Sequence, residues 1–360
     1  MSSRMRDRYV LPEQTETVME VGLYTFGDVG VDPATGRAVD AQERLNNLAE
    51  EIELADQVGL DVFGLGEHHR PNYAISAIAV ALAAAARTTK NIRLSSAVSV
   101  LSSDDPVRVF QQYATLDNLS NGRAELMVGR GSFIESFPLF GYDLDDYDTL
   151  FEEKLAMLLA INAQERLSWP GSDHTQRVNG LGVYPRPAQG KLPIWIAAGG
   201  TPQSMVRAGA LGLPLALAII GGAPRRFAPL ADLYRKAAGQ AGNIEKARVS
   251  LNVHGFVGED SQRAADLFYP AQKAVMDQIG RERGWGPQSR AQYDQSTGPE
   301  GALFVGSPAQ VVDKILGLKE DLGFDRVLIQ MAIGIIDHAE MLKAIEVLGT
   351  KVAPELRKAG

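Results

Sequence analysis

Pro193–Ile194–Trp195–Ile196–Ala197–Ala198–Gly199–Gly200–Thr201–Pro202 reads as an apolar run, a glycine pair and the start of a helix. The run is continuous rather than alternating, which suits a strand covered on both faces, as in a parallel sheet flanked by helices. Thr201 fits the N-cap and Pro202 the first helical position, where the missing N–H is one that would have no partner anyway. A second such run, Leu213–Ile220, follows one helix later. Working outward, strands are expected at 20–26, 61–66, 92–101, 123–129, 193–198, 213–219, 247–257 and 325–332. Helices are expected at 41–58, 75–88, 106–119, 148–165, 202–211, 225–239, 260–279, 308–321 and 337–348. Eight such units predict a closed (β/α)8 TIM barrel, with an open doubly wound sheet as the alternative.

Three stretches exceed the minimal repeat: 131–147 after strand four, 167–192 before strand five and 281–305 after strand seven. Insertions of this length are expected to be lids, binding loops or disordered segments. Residues 1–18 are polar and predict a flexible leader, with one barrel domain over 19–360. The 360 residues contain no cysteine, which excludes disulfides, thiolate metal sites and a cysteine nucleophile. A net charge of −8 gives no support for nucleic-acid binding. No apolar run approaches the ~20 residues of a membrane span, and no signal-peptide pattern follows Arg4, Arg6 and Arg8, so a cytoplasmic protein is expected.

Chemistry concentrates at the ends of the expected strands. Gly64–Leu65–Gly66–Glu67–His68–His69–Arg70–Pro71 carries two of only five histidines. Adjacent strand residues point to opposite sides, so only one histidine can face the barrel mouth. An imidazole beside a carboxylate serves as a general acid or base near neutral pH; the alternative is a hydrogen-bonded cluster that merely closes the barrel. The i, i+4 histidine pair of a zinc peptidase is missing, so no metal is expected. Val128–Gly129–Arg130–Gly131–Ser132 sets an arginine between glycines, which suits a phosphate or carboxylate, or else a flexible surface turn. Gly199–Gly200–Thr201 is a second anion-ready turn, or plain punctuation. In Ser95–Ser96–Ala97–Val98–Ser99–Val100–Leu101 the side chains are small, leaving room for a flat ring or packing tightly. Arg123 is expected to be structural. The helix around Ala74–Ala86 is apolar nearly all round, which suits burial against a second subunit or simple high-propensity filler.

In order, Glu67–His68–His69, Ile92–Arg93–Leu94, Pro106–Val107–Arg108, Leu116–Asp117–Asn118–Leu119–Ser120–Asn121–Gly122–Arg123, Val128–Gly129–Arg130–Gly131, Phe140–Gly141, Gly199–Gly200–Thr201–Pro202 and Gly212–Leu213–Pro214 resemble the bacterial luciferase-like family of flavin-dependent monooxygenases. The resemblance covers about residues 20–350. It implies a (β/α)8 barrel, a homodimer through the second and third helices, and reduced FMN at the carboxyl ends of the strands. It implies a catalytic role for His68 with Glu67 beside it. Ala97, Val98 and Ser99 fall beside the flavin ring, near a bulge or cis peptide. Arg130, Gly131, Ser132, Gly199, Gly200 and Thr201 fall at the phosphate, and Ile219 among the cofactor contacts. Two positions depart from the luciferases: Asp148 stands where a second phosphate-binding arginine belongs, and Gly129 where a reactive thiol belongs. Light emission from an aldehyde is therefore not expected.

The leading expectation is an FMN-dependent two-component monooxygenase, using oxygen on a small organic substrate in a water-poor pocket. No Gly-x-Gly-x-x-Gly strand–helix fingerprint is present, so a separate, transiently bound flavin reductase is expected to supply the reduced cofactor. The alternatives are a deazaflavin-dependent hydride transferase of the same fold and a non-catalytic flavin-binding protein. Specificity is expected to lie in the three insertions, where Phe133, Phe137, Trp285 and Tyr293 either line a pocket or serve packing.

Overall fold

The computed structural model describes residues 18–359. Of the expected leader, residues 1–17 lie outside the described residues. Eight parallel strands close a barrel: β1 Glu20–Thr25, β2 Val62–Leu65, β3 Arg93–Ser96, β4 Ala124–Gly129, β5 Ile194–Ala198, β6 Leu215–Ile219, β7 Val249–Val257 and β8 Arg326–Gln330. Closure is visible at Gly22 of β1, which is in register with Val62 of β2 on one side and Leu328 of β8 on the other. The expected (β/α)8 barrel is therefore the observed fold.

Nine helices that pack outside the strands are α1 Ala41–Gln57, α2 Ile78–Ala85, α3 Pro106–Leu119, α4 Tyr147–Ala163, α5 Pro202–Leu211, α6 Ala228–Gln240, α7 Ser261–Arg283, α8 Pro308–Leu322 and α9 His338–Val347. Their starts follow capping chemistry: Asp40, Asp105 and Asp260 each accept the backbone N–H three residues on, at 2.8–2.9 Å. Among the described residues no helix is long and apolar enough to cross a membrane.

Alternation along each strand makes two cores. Outward side chains such as Leu65, Leu94, Val128, Ile196 and Val253 meet the helices. Inward ones (Tyr24, Val62, Met127, Trp195, Ala216 and Leu328) fill the barrel. At its amino-terminal floor Arg326 holds Glu125 in a two-pronged pair at 2.6 and 3.0 Å and reaches Glu20 at 2.8 Å. Its guanidinium lies 4.2 Å from the Trp195 ring centroid. Burial is the largest single influence on Glu125 and opposes its ionisation, but the Arg326 charge and hydrogen bonds, with Arg93 and Trp195, together outweigh it and hold the carboxyl below its ordinary value.

Four local expectations are corrected. The helix expected over 75–88 begins only at Ile78, because the backbone before it is already engaged: Ala74 N–H donates to Gly27 O at 2.8 Å and Ile75 O accepts from His68 at 3.1 Å. Ala77 offers no capping oxygen to start it earlier. The strand expected over 92–101 is broken after Ser96 by a cis Ala97–Val98 bond, then resumes as Ser99–Val100 beside β4. Insertion 167–192 is an ordered segment rather than an irregular one, since Val178–Gly182 pairs with Arg166–Trp169 as an antiparallel ribbon. It lies along α3 and α4, with Arg186 donating to Ile161 O at 2.9 Å and Asn118 donating to Arg186 O at 2.8 Å. Insertion 281–305 adds a helix, Arg290–Thr297, and a strand, Leu303–Gly306, that pairs with the upper half of β7. Arg123 is structural as expected, closing the end of α2 through the carbonyls of Ala86, Thr89 and Ile92 at 2.7–3.2 Å.

Candidate active site

A cavity of about 210 Å³ opens at the carboxyl ends of the strands. Its wall is built from small side chains on neighbouring strands: Ala97 and Val98, Gly129, Ala197 to Gly199, Ala216 and Ala218. Two glycines allow the Ala97–Val98 segment to lie this close. A Cβ on Gly66 would stand 2.2 Å from the Phe26 ring and 2.6 Å from Ala97 O, and one on Gly129 would stand 3.0 Å from Val98 Cγ2.

His68 faces the cavity from the loop after β2. Its ring is enclosed by three aromatic rings, with centroid distances of 4.3 Å to Phe26, 4.7 Å to Tyr73 and 4.6 Å to Phe133. Burial, with smaller contributions from the charges of Arg70 and His69, lowers its pKa to about 3. The imidazole is therefore neutral at physiological pH, with one N–H and one bare nitrogen. His69 does not line the cavity and packs on Phe140 instead; both histidines lie in the loop beyond the strand's end at Leu65, so the split in their facing comes from the loop's course rather than from strand alternation.

Glu67 also lines the cavity, and its Oε1 accepts Val100 N–H at 2.7 Å. Burial raises its pKa to about 7, with the Val100 bond opposing and Asp104 adding to the rise. Of the adjacent pair, the carboxyl rather than the imidazole changes charge near neutrality.

Arg130 stands at the rim on the loop after β4, over the Tyr147 ring at 5.2 Å. It pairs with Asp148 and donates to Thr201 Oγ1 at 3.3 Å. Thr201 occupies the N-cap position of α5, yet its hydroxyl makes no capping bond and serves Arg130 instead. Gly131, Ser132 and Gly199 line the same rim, and Gly200 adjoins it with φ +120°.

Two expected contacts are turned away. Ile219 is fully buried in the outer core against the helices, and its neighbours Ala218 and Ile220 face the cavity. Ser99 bonds its hydroxyl to Tyr113 at 3.1 Å and does not reach the cavity. In each case a one-residue offset along extended chain reverses the facing.

The far wall carries Asn252, His254 and Gln330, none of them read from the sequence as site residues. Burial lowers the His254 pKa to about 4. Gln330 donates to Ala332 O at 3.2 Å, while its Oε1 is buried without a partner. Ser250, Asn252 and His254 alternate with Val249, Leu251 and Val253, a signal of one polar, inward face that the sequence does contain. Among the insertion aromatics, Phe133 reaches the site. Phe137 stacks on Tyr147 at 5.5 Å, Tyr293 is buried beside Tyr269, and Trp285 is exposed. Residues 167–192 contribute nothing to the lining.

The sequence profile of the luciferase-like monooxygenases matches residues 19–326. The chain is similar to the 4-hydroxyprotoasukamycin monooxygenase of Streptomyces nodosus subsp. asukaensis, 28% identical over 331 residues, covering 86% of each chain. In fold it is similar to the oxygenating constituent of the FMN-bound 3,6-diketocamphane monooxygenase of Pseudomonas putida, with a TM-score of 0.72 at 20% identity over 94% of this chain and 98% of that one. It is similar again to the coenzyme F420-dependent tetrahydromethanopterin reductase of Methanopyrus kandleri, with a TM-score of 0.70 at 20% identity over 93% and 99%. With most of its length matched, the chain belongs to the luciferase-like monooxygenase family, an enzyme family of flavin-dependent monooxygenases and oxidoreductases.

Proposed function

We propose that this chain is the oxygenating component of a two-component, FMN-dependent monooxygenase acting on a small organic substrate. The reading is carried by one observation: a neutral, aromatic-caged His68 faces a wall of small side chains whose rim bears Arg130, itself hydrogen-bonded to Thr201 outside the lining. A flat ring bearing a phosphate fits that arrangement. The wall from Ala97 to Ala218 leaves room for the ring, and the unpartnered Gln330 Oε1 suits a ring N–H. Arg130, Gly131, Ser132, Gly199, Gly200 and Thr201 would hold the phosphate.

Reduced FMN, when bound, supplies the electrons for oxygen chemistry, and a separate flavin reductase delivers it. His68 offers a hydrogen bond to the reacting centre without carrying charge into a buried chamber. Glu67 holds a proton below about pH 7 and can release it above, which suits a proton donor at the cavity edge. The aromatic cage keeps water from the imidazole. The apolar face of α2 and α3, where Val80 is 73% exposed beside Ala83 and Leu119, suits a homodimer contact. A single barrel domain and a cytoplasmic location complete the reading.

A deazaflavin-dependent hydride transferase is the second reading, favoured by the similarity to a coenzyme F420-dependent reductase. Titration with FMN, oxidised and photoreduced, tests the first reading, with Arg130→Ala measured alongside. Tight binding of the reduced form, weakened in the variant, supports it; binding of a deazaflavin but of neither form of FMN replaces it with the second.

A further inference from the structure

The phosphate seat proposed above already has an occupant. Arg130 gives one guanidinium arm to Asp148 and the other to Thr201, so one N–H on each terminal nitrogen is engaged from within the chain and its charge already faces a carboxylate. Asp148 lies in the first turn of α4, where the helix dipole favours a negative side chain, and it follows Asp145 and Asp146. Further along the same helix, Arg207 is engaged by Glu152. Arg130 and Asp148 together sum to zero charge, whereas a flavin 5′-phosphate brings ~1.5 to 2 negative charges at pH 7. The Arg130 side chain is 22% exposed and that of Asp148 is 69% exposed, so the carboxylate is free to swing outward while the guanidinium stays over Tyr147. Tyr147 is itself anchored by its hydroxyl to Gly131 O at 2.6 Å.

From this geometry we infer that Asp148 is a resident counter-ion that competes with phosphate for Arg130, so that the protein recognises a flavin chiefly by its ring and accepts riboflavin nearly as well as FMN. This rests on the flavin reading of the site. An incoming phosphate either takes the arm that Asp148 holds or uses the remaining N–H donors beside it, and in both cases it meets the carboxylate's negative charge. An exposed ion pair is readily broken, so the competition weakens the phosphate contact without abolishing it. The dephosphorylated flavin meets no such conflict and leaves the Arg130–Asp148 pair intact. Asp148 is therefore a specificity-determining residue for the cofactor's tail, acting against the phosphate rather than for it.

The test is equilibrium titration of FMN and of riboflavin, each oxidised and photoreduced, followed by flavin fluorescence or calorimetry. Wild type, Asp148→Asn, Arg130→Ala and the double variant are compared. Wild type is expected to favour FMN over riboflavin by no more than about tenfold, and Asp148→Asn to tighten FMN by about tenfold with riboflavin unchanged. In the Arg130→Ala background the Asp148→Asn gain should vanish. A purely structural role at the start of α4 would shift both flavins together, and that result overturns the inference. So does a wild-type preference for FMN above a hundredfold that Asp148→Asn leaves untouched, while the flavin reading itself survives. Failure of all four proteins to bind either flavin overturns both.

Discussion

Glu67 Oε1 accepts the backbone N–H of Val100 at 2.7 Å, which ties the acid at the cavity edge to the segment that carries Ala97 and Val98. The bond favours the ionised carboxyl, yet burial dominates and leaves the group titrating at about 7. Turnover supported by this proton should fall as pH rises through about 7. Glu67→Gln should remove that inflection and lower turnover by about 10²-fold. A pH–rate profile that keeps the inflection in the variant would assign it to another group.

The cage around His68 makes a separate prediction. Phe133 stands edge-on to the imidazole with centroids 4.6 Å apart, and Arg70 lies 4.4 Å from the same phenyl ring. Removing the ring in Phe133→Ala admits water, so the His68 pKa should climb from about 3 toward its ordinary value of 6.5. Imidazole NMR titration reads this directly. A resonance still unprotonated at pH 4.5 in the variant would mean that Phe26 and Tyr73 suffice.

A buried carboxyl at the edge of the barrel mouth bears on stability. Asp28 Oδ1 accepts Gly334 N–H at 2.9 Å, Oδ2 has no partner, and burial outweighs Gly334 and Arg44 to raise its pKa from 3.8 to about 7. Below the lower value both folded and unfolded chains hold the proton. Between the two values only the folded chain does, so its stability falls as the pH rises across that window. Above about pH 7 the penalty is complete, on the order of 4 kcal/mol. His68 and His254, with lowered values, act in the opposite direction as the pH rises toward 6.5. Asp28→Asn isolates the carboxyl. Relative to wild type it should gain stability between pH 5 and 8, read as a urea midpoint at each pH. Parallel curves would sink the assignment.

The floor of the barrel should be intolerant of half-measures. Arg326→Met leaves Glu125 buried without its cation, and Glu125→Gln leaves Arg326 without its anion at the two-pronged contact. Each single change should cost about 3–5 kcal/mol. The double change to Glu125→Gln with Arg326→Met should cost less than the sum, as a denaturant double-mutant cycle would report. Additive losses would mean that the pair contributes nothing beyond packing.

The barrel was legible in the sequence because buried parallel strands such as Ile194–Ala198 and Leu215–Ile219 are unbroken apolar runs between capped helices. His68 and Arg130 were legible because chemistry at strand ends stands out against that background. Facing was harder to read. The expected contact Ile219 sits one position from Ala218 and Ile220, and in an extended chain one residue separates opposite walls. Asn252, His254 and Gln330 were written in the alternation of β7 and β8, but each looks ordinary alone. The start of α2 depended on bonds from Ala74 and Ile75 to residues far earlier in the chain, which local pattern does not contain. Asp148 was visible as a departure from the family pattern. Its pairing with Arg130 follows from α4 beginning beside the end of β4, a matter of three-dimensional placement.

The Glu125–Arg326–Trp195 cluster has a kinetic consequence. With the amino-terminal end sealed by these side chains, the chamber is a blind well, and whatever enters or leaves it uses the mouth. Molecules sharing one doorway must queue. A large planar guest seated against the wall would have to go in before a smaller one lying above it, and the smaller one would have to depart before the larger could be exchanged. On the proposed reading, one mouth and a sealed floor would impose an order of arrival and release on cofactor and substrate.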